Sequence, residues 1–560
     1  MTVILVGITL LLAASTSVVV HTLFVPRPVK FKEPAVLFEG QYLQDVVCEA
    51  EDIWLLPFAL VKEHIDQSAL WDSLSRSVVF TTEDKLLRLP TDSLTAFVNL
   101  KPVPMSQAAK LIQGEPFVPL EVVAALCSLE WYYNADTNVL VIDRATAPAE
   151  LAKLRSASLL RKSPTILSLP VAHLIEGEQV KVLGSSTGWA HVQTRNGLLG
   201  FIPLTILDSA AKPTLNQVPE AARSQKWHPP GGLVNLTWEY VTQPVTPIPS
   251  AATLKGVNVL CPTWFHLKDP DGNVQATADP AYVRWAHFNG IRVWGLVSNQ
   301  FDRELTHKFL GSALSRENFI RQMLAWCNAL KLDGINVDFE NMEYEDRGLF
   351  VQLIRELAPL TKEQGLVLSV DVTVKSSSPN WSLCYDRSAL AKAADYVILM
   401  AYDQTPAGSP IPGPTAALPW VEQGIRSALA EVPGHKLVLG IPFYTRVWKV
   451  PPGSKGATSR AASMDEVETL LKQHKAEVTF DSASGQRLAQ YAYEGYHWVI
   501  WVEDQDSVRA RAELVTKYAL AGIASWRRGF ESARTWATIA DTLSRAQYQA
   551  SATASTQPSS

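Results

Sequence analysis

The feature that most constrains the fold of this chain is a regular alternation of apolar runs and helix-like stretches between about residues 231 and 545. Eight of the runs have the length and the β-branched and aromatic content of buried strands. They lie at 233–240, 256–260, 291–297, 334–340, 366–372, 396–402, 436–444 and 522–526. Helix-like stretches, of which 316–330, 345–364 and 507–520 are the clearest, fall between them. This order predicts a C-terminal (β/α)8 barrel, or TIM barrel.

One connection in this region is longer than a single helix requires. It runs from Lys449 to about Ala519, between the seventh and eighth predicted strands. A segment of this size has room for strands and a helix of its own. We therefore expect a small α+β insertion before the eighth strand.

Polar and aromatic residues accumulate where the predicted strands end, and barrel active sites lie at those carboxyl ends. The candidates are Asp338 and Glu340 on strand four, Tyr402 and Asp403 on strand six, Tyr444 and Arg446 after strand seven, and Trp526 on strand eight. Since a random distribution would rarely place all of them at strand ends, the sequence predicts one site at this end of the barrel.

The fourth predicted strand carries the strongest chemical signal. Residues 333–340 read Asp-Gly-Ile-Asn-Val-Asp-Phe-Glu. Side chains alternate along a strand, so Asn336, Asp338 and Glu340 share one face, with the two carboxyls about 6.5–7 Å apart. Neighbouring carboxylates repel each other, which raises the pKa of at least one and can keep it protonated near neutral pH. A glycosidase needs such a pair, one group to protonate the leaving oxygen and one to stabilise positive charge.

An internal repeat occupies residues 34–146. Each copy has an extended entry that contains proline, a short helix, a tryptophan turn and a strand; the copies contain Trp54 and Trp71, then Phe117 and Trp131. The pattern resembles the copper amine oxidase N-terminal-like domain of exported bacterial proteins. The segment has no histidine cluster that could bind copper, so we interpret it as a spacer or wall-associating module.

Residues 163–208 change to short alternating strands with glycine turns, which predict a small β-barrel. The order Gly-Glu-x-Val, Gly-Trp-x-x-Val and Gly-x-x-Gly-Phe-Ile-Pro resembles a bacterial SH3-like domain. The proline-containing segment 209–230 predicts a linker. Residues 546–560 are rich in Ala, Ser and Thr and predict a disordered tail.

The amino-terminal residues 1–26 contain no charged side chain and are mostly apolar. They predict a signal peptide or a membrane anchor, and hence an extracellular or cell-envelope location, either secreted or anchored. The net charge of −5 and the pI near 6.2 give no support for nucleic-acid binding. Five cysteines without paired spacing indicate neither a disulfide framework nor a zinc site.

Three motifs of the barrel region together resemble glycoside hydrolase family 18. They are Asp-Gly-x-x-x-Asp-x-Glu on strand four, Met-Ala-Tyr-Asp at 400–403 and Gly-Ile-Pro-Phe-Tyr at 440–444. The likeness is greatest to the bacterial branch that acts on peptidoglycan or spore cortex, and it covers residues 231–545. It implies a retaining, substrate-assisted mechanism in which the N-acetyl oxygen of the sugar attacks C1, with no metal or cofactor.

The resemblance also implies a role for each site residue. Glu340 is the general acid and then the base, and Asp338 orients the acetamido N–H and stabilises the oxazolinium charge. Tyr402 hydrogen-bonds the acetamido carbonyl. The implied substrate-binding residues are Asp403, Trp526, Tyr444, Arg446 and Asn336. The family usually has Asp at position 336; we expect Asn336 to hydrogen-bond Asp338 and to alter the pH optimum by weakening like-charge repulsion. Asp333, on the opposite strand parity, is expected to be structural.

Three functions are compatible with these observations. The first is an exported hydrolase that cleaves β-1,4 bonds next to N-acetylglucosamine in peptidoglycan. The second is a chitinase or chito-oligosaccharide hydrolase, and the third is a non-catalytic sugar-binding envelope protein. Glu340 argues against the third, because its loss is the usual sign of an inactive member. The accompanying modules favour peptidoglycan over chitin.

Overall fold

The computed structural model describes residues 29–43, 48–50, 53–145, 150–208, 229, 231–453 and 456–555. These residues form two compact units, one within Met1–Phe80 and Leu87–Lys226 and the other within Thr81–Leu86 and Trp227–Ser560. The predicted signal or anchor at 1–26 lies outside the described residues, as does nearly all of the predicted linker. Within the described residues, no helix has the length and apolar character needed to cross a membrane.

The second unit contains a closed barrel of eight parallel strands, as the alternating pattern predicts. The strands are Val234–Glu239, Val259–Pro262, Arg292–Ser298, Gly334–Asp338, Val367–Thr373, Tyr396–Met400, Leu437–Pro442 and Gly522–Trp526. Each pairs with the next in chain order, and the eighth pairs with the first to close the sheet. A hairpin of Phe265–Leu267 and Val274–Ala276 extends the third strand at one edge.

Helices surround this barrel, and the three clearest sequence predictions are confirmed within a few residues. The helices are Pro280–Phe288, Arg303–Leu310, Ala313–Leu330, Arg347–Glu363, Arg387–Ala393, Leu418–Leu429, Gln505–Lys517 and Thr535–Ser555. Several begin at a side chain that accepts a backbone N–H of the first turn, such as Asp302, Ser312 and Asp504. These caps satisfy donors that the first turn leaves without a helical partner.

The last helix corrects the predicted disordered tail. It runs to Ser555, so residues 546–555 are helical, and only 556–560 of the predicted tail lie outside the described residues. The helix is anchored by Trp536, Ile539 and Leu543, which are buried. Composition suggested disorder, but Ala and Gln are good helix formers that extend a helix already nucleated by packing.

The fourth barrel strand has the two faces that its sequence predicts. Ile335, Val337 and Phe339 are fully buried, and the Phe339 ring stacks on Phe350 of a surrounding helix with centroids 5.9 Å apart. The strand begins at Gly334, where a Cβ would lie 2.7 Å from the Val367 carbonyl oxygen. Glycine therefore permits the close strand pairing at this point.

The predicted α+β insertion is present between the seventh and eighth barrel strands. Its antiparallel sheet has the order Thr458–Ala462, Thr445–Val450, Tyr496–Val502, Gln486–Tyr493 and Glu477–Asp481. The helix Met464–Gln473 contributes Val467 and Leu471 to a core shared with this sheet. The insertion begins at Thr445, slightly before the predicted start.

The first unit contains the internal repeat, and its two copies share an order of strand, helix, strand and strand. In the first copy these are Ile53–Pro57, Phe58–Leu60 continued by Val61–Ile65, Leu70–Asp72 and Ser77–Thr81; in the second they are Glu115–Pro119, Leu120–Cys127, Leu129–Asn134 and Val139–Arg144. Both copies contribute to one core, in which Trp54, Leu60, Val118 and Leu120 are buried. Further strands are Ala35–Phe38, Gln41–Leu43, Cys48–Ala50, Leu86–Pro90, Thr95–Val98, Lys101–Pro104 and Lys110–Ile112.

The same unit contains a six-stranded antiparallel sheet that begins earlier than the predicted bound of 163. Its strands are Glu150–Lys153, Ser158–Arg161, Pro170–Leu174, Gln179–Ser186, Trp189–Thr194 and Leu199–Pro203. The first two lack the glycine-marked turns on which the prediction depended. This sheet contacts the repeat through Tyr42, whose hydroxyl donates to the Gly197 carbonyl over 2.7 Å, and through Thr137, which donates to Asn196.

Candidate active site

A cavity of about 640 Å³ opens at the carboxyl ends of the barrel strands. Its walls contain six of the eight predicted site residues, which are Asp338, Glu340, Tyr402, Asp403, Tyr444 and Trp526. The two others, Asn336 and Arg446, are not in its walls. The structure therefore brings six of the predicted residues together around one cavity and places the two others outside its walls.

Glu340 is held by its own backbone just beyond the end of strand four. Its amide donates to the Asn299 side chain over 3.0 Å, and its carbonyl accepts from the same side chain over 2.7 Å. Asn299 is buried and also donates to Thr306. Two hydrogen bonds thus hold the backbone from which the Glu340 side chain enters the cavity.

Burial and like charge act together on the two carboxyls of strand four. Burial raises the pKa of Asp338 to about 7. The pKa of Glu340 is raised well above its usual value by burial first, and then by the charges of Asp338 and Asp403. The raised pKa favours the protonated form of Glu340, which is the form that can donate a proton.

Asn336 lies beneath the cavity and does not hydrogen-bond Asp338, which corrects two expectations. It is fully buried. Its amide group donates to Asp371 over 2.7 Å and to Ser369 over 3.0 Å, and its carbonyl oxygen accepts from the Trp238 indole over 3.1 Å. All of its strong partners are on other strands, so we assign it a structural position beneath the cavity and no contact with substrate.

Asp371 is a buried carboxyl that the sequence analysis missed. It is 1% exposed, on the fifth barrel strand, and part of the cavity wall. The pKa of Asp371 is raised well above its usual value by burial and then by the charge of Asp338, while the Asn336 hydrogen bond opposes the shift. The alternation used for strand four would have found it, since Ser369 and Asp371 share a face on strand five.

Asp403 is oriented by two residues that follow strand seven. The Tyr444 hydroxyl and the Arg446 guanidinium both donate to its Oδ1 atom. Arg446 is 8% exposed and lies behind Asp403, so its predicted contact with substrate is replaced by a contact with Asp403. Asp403 itself has a φ of 56°, in the left-handed region. This uncommon conformation at a cavity residue is typical of a functional position.

Aromatic rings form the floor and the rim of the cavity. Trp238 packs edge-on against Tyr402 at 6.4 Å and Trp526 at 5.7 Å between ring centroids. At the rim, Phe301 and Trp381 are 55% and 43% exposed and lie 6.0 Å apart. Trp238, Phe301 and Trp381 were not among the predicted site residues. Exposed aromatic faces suit the apolar faces of sugar rings.

Asp333 has the structural role that its strand parity predicted. Its carboxylate accepts the backbone N–H of Val293 over 2.8 Å and contacts His287 Nε2 over 2.8 Å. It therefore ties the start of strand four to strand three, at the end of the barrel opposite the cavity.

A closed (β/α)8 barrel with two carboxyls of raised pKa in an aromatic-lined cavity is typical of glycoside hydrolases. Residues 257–531 match the family described as Glycosyl hydrolases family 18, and residues 40–142 match the copper amine oxidase N-terminal domain. The barrel domain therefore matches glycosyl hydrolases family 18 over residues 257–531, and the chain is a glycoside hydrolase.

Two curated relatives come from Bacillus subtilis. The chain is 27% identical over 281 residues to the uncharacterized glycosylase YvbX, a match that covers 48% of this chain and 80% of the relative. It is 26% identical over 253 residues to a cortical fragment-lytic enzyme, a match that covers 44% of this chain and 58% of the relative. The match thus spans little more than half the length of the second relative.

The solved structures of two relatives share the fold. The C-terminal domain of a putative chitinase from Desulfitobacterium hafniense has a TM-score of 0.51 and 23% identity, over 56% of this chain and 99% of that one. The spore cortex-lytic enzyme SleL of Bacillus megaterium has a TM-score of 0.51 and 20% identity, over 62% of this chain and 77% of that one.

Proposed function

We propose that this chain is an exported hydrolase that cleaves β-1,4 linkages next to N-acetylglucosamine in peptidoglycan. The observation that carries the proposal is Glu340, a half-buried acid with a raised pKa, which lines the cavity together with a second carboxyl of raised pKa, Asp338. The predicted apolar segment at 1–26 would export the protein, or retain it at the cell envelope as an anchor.

Glu340 begins the reaction as the acid. In its protonated form, which the raised pKa favours, it donates its proton to the glycosidic oxygen as the bond from that oxygen to C1 breaks. The acetamido oxygen of the same sugar forms the new bond to C1 and gives a cyclic oxazolinium ion. Asp338 accepts the acetamido N–H and offsets the positive charge of that ion, and Tyr402 donates to the acetamido oxygen.

Water completes the reaction by attacking C1 on the face that the leaving group vacated, as the bond from C1 to the acetamido oxygen breaks and the acetamido group is restored. Glu340, now ionised, takes a proton from this water and returns to its starting state. Two inversions at C1 give net retention. The Trp526 ring supports the sugar from below, and Asp403 binds its hydroxyls in the orientation fixed by Tyr444 and Arg446.

The choice of peptidoglycan over chitin has two supports. Relatives include cortical fragment-lytic enzymes of Bacillus, although a class V chitinase of Arabidopsis thaliana is also 27% identical over 241 residues. The second support is Lys375, a cation in the cavity wall, whose side chain is 46% exposed and whose ammonium group pairs with Glu431 over 2.5 Å. N-acetylmuramic acid carries a carboxylate that chitin lacks, and Lys375 suits it.

The domains before the barrel fit the same function. We propose that the sheet of 150–203 is an SH3-like module and that, with the repeat domain, it holds the enzyme near the cell wall. Both domains are separate from the catalytic chemistry, so their removal is expected to lower activity on whole wall more than on short soluble fragments.

The decisive experiment compares wild type with Glu340→Gln on purified peptidoglycan and on chito-oligosaccharides. Wild type should release new reducing ends from peptidoglycan, and Glu340→Gln should release none while it still sediments with the wall. Glu345→Gln is the matched control, because Glu345 is exposed and outside the cavity. If wild type and Glu340→Gln were equally inert on both polymers, the chain would be a sugar-binding protein instead.

Two further measurements test the mechanism and the substrate. Substrate without N-acetyl groups should not be cleaved, because it lacks the internal nucleophile. Lys375→Met should lower kcat/KM on peptidoglycan fragments and leave kcat/KM on chito-oligosaccharides unchanged. An equal loss on both substrates would remove this support for peptidoglycan, and faster cleavage of chito-oligosaccharides by wild type would favour the chitinase alternative.

A further inference from the structure

Two buried carboxyl oxygens in the barrel have no hydrogen-bond partner within the described residues. They are Asp338 Oδ1 on strand four and Asp371 Oδ2 on strand five. A buried carboxylate oxygen without a donor is costly, and the cost falls when one carboxyl of a close pair is protonated. The two orphaned oxygens therefore mark a place where a proton can reside.

The strand register makes the two residues neighbours. Asn336 pairs with Ser369 and Val337 pairs with Val370, so Asp338 and Asp371 come next on adjacent parallel strands. Both belong to the faces that look into the barrel, and both are part of the cavity wall. Adjacent strands lie about 4.8 Å apart, so the two carboxyls are within range of strong repulsion.

Asn336 determines which oxygen of Asp371 is open. Its amide group donates to Asp371 Oδ1 over 2.7 Å and leaves Oδ2 without a partner. An asparagine amide can donate a hydrogen bond but does not titrate, so residue 336 adds no charge to the side chains inside the barrel at this level. The negative charge that an aspartate would place on strand four is found instead on strand five.

We propose that Asp371 is a positioning residue that shares one proton with Asp338 and so controls the charge of Asp338 during the proposed reaction. In the free enzyme the proton holds the pair at a single negative charge. When the acetamido N–H approaches Asp338, the proton rests on Asp371 Oδ2 and Asp338 is ionised. The O–H bond on Asp338 breaks as the O–H bond on Asp371 Oδ2 forms, and Asp371 makes no bond to substrate. This inference rests on the proposed function, because Asp338 acts on the acetamido group.

The surroundings of Asp371 are consistent with this role. The charges that raise its pKa are Asp338 and Glu340, both on or just after strand four. The Cys261 thiol of strand two and the Tyr402 hydroxyl after strand six also face this group, and burial raises the pKa of both, so they remain neutral. Tyr385 lies near Glu340 and Asp338, and its pKa is raised in the same way.

The test exchanges the carboxyl between the two strands. Asp371→Asn removes the carboxyl that shares its proton with Asp338. The double variant Asn336→Asp with Asp371→Asn places a carboxyl beside Asp338 again, this time on strand four. Asp333→Asn is the control, since Asp333 is a carboxyl at the opposite end of strand four. Thermal unfolding of each variant shows whether it is folded before activity is compared.

Activity supplies the first readout. Asp371→Asn should lower kcat by roughly 10- to 100-fold, the range for residues that orient a catalytic group. It should also move the acidic limb of the kcat profile to higher pH, because Asp338 must be ionised in the substrate complex and loses the O–H donor that favours its ionised form. The double variant should regain part of kcat and move the limb back, while Asp333→Asn should leave the limb in place. A profile for Asp371→Asn that superimposes on that of wild type would overturn the proposal.

Infrared spectroscopy supplies a readout that does not depend on activity. The carbonyl band of a protonated carboxyl at neutral pH should weaken in Asp371→Asn and return in the double variant. If the wild type cleaves neither polymer but this band behaves as described, the proposed function fails and the shared proton stands. If Asp371→Asn leaves the band unchanged, the shared proton is wrong whatever the activity.

Discussion

Two groups of buried carboxyls in the second unit differ in what surrounds them. Glu503, after the last strand of the insertion, accepts from Arg511 over 2.5 and 3.0 Å, from Ser507 over 2.8 Å and from Gln486 over 2.9 Å. Asp338 and Asp371, in the barrel cavity, each keep one buried oxygen without a partner in the described structure.

The difference shows that a buried carboxyl with a cation and hydrogen-bond donors stabilises the fold, whereas one without them is suited to proton transfer. Burial raises the pKa of Glu503, but Arg511 and the neutral donors oppose the shift and favour the ionised form. In the cavity, the pKa values of Asp338 and Glu340 are raised, and no cation or neutral donor among the described residues lowers them. A paired carboxylate resists protonation, whereas an unpaired buried carboxyl can gain and lose a proton near neutral pH.

The largest expected effect distinguishes the two groups by activity. Glu340→Gln should lower kcat by about 10²- to 10⁴-fold, the contribution of a positioned general acid, without lowering the melting temperature. Glu503→Gln should leave kcat near that of wild type and lower the melting temperature. Release of reducing ends and thermal unfolding of both variants provide the measurements. The comparison fails if Glu503→Gln is as inactive as Glu340→Gln while folded.

The next effect concerns the paired group. Arg511→Met leaves the Glu503 carboxylate buried without its cation, which should cost about 3–5 kcal/mol in the free energy of unfolding. Arg509→Met is the control, because Arg509 is 47% exposed and its partner Asp506 is 82% exposed. Urea titration measures both. A loss below about 1 kcal/mol for Arg511→Met would mean that the pair contributes little.

A smaller effect of opposite sign is expected in the cavity. The pKa of Asp338 is raised to about 7 in the folded protein, above its ordinary value of 3.8. The folded state therefore binds this proton more tightly than the unfolded state, and stability falls as pH rises from about 4 to about 7. Asp338→Asn should remove this loss and stabilise the protein above pH 7 by on the order of 2–4 kcal/mol.

Measurements at low pH provide the control for this variant. Below about pH 4 the aspartic acid of wild type is protonated, so residue 338 is neutral in both proteins. The difference between their free energies of unfolding should then vanish. Unfolding curves at pH 4 and pH 8 test it. An Asp338→Asn protein that is less stable than wild type at pH 8 would show that Asp338 is compensated in the folded state.

The smallest effect concerns the orientation of Asp403. Tyr444→Phe removes one donor to Asp403 and leaves Arg446 in place. The loss should be roughly 1–2 kcal/mol in transition-state stabilisation, or about 5- to 30-fold in kcat/KM. Steady-state kinetics on short oligosaccharides measures it. An unchanged kcat/KM would mean that Arg446 alone orients Asp403.

Local sequence patterns predicted much of the fold and part of the site. The eight barrel strands, the insertion and the two faces of strand four all follow from periodicity, because side-chain alternation is a property of a strand by itself. Asp371 was missed because the alternation was applied to strand four and not to strand five, and Trp238 was missed because no local motif marks it. The helical end at Ser555 was also missed, because packing of distant residues decides whether such a segment stays helical.

The sequence by itself determined the order of the elements, and its strand-four motif singled out Glu340 as the proposed acid. Only the tertiary structure decided which polar groups meet. Asn336 and the Trp238 indole are 98 residues apart in the chain and 3.1 Å apart in the barrel, and Asn336 bonds Asp371 instead of Asp338. The physical reason is that barrel closure sets the cross-strand register and removes water, and these two factors together determine the hydrogen bonds and pKa values of the site.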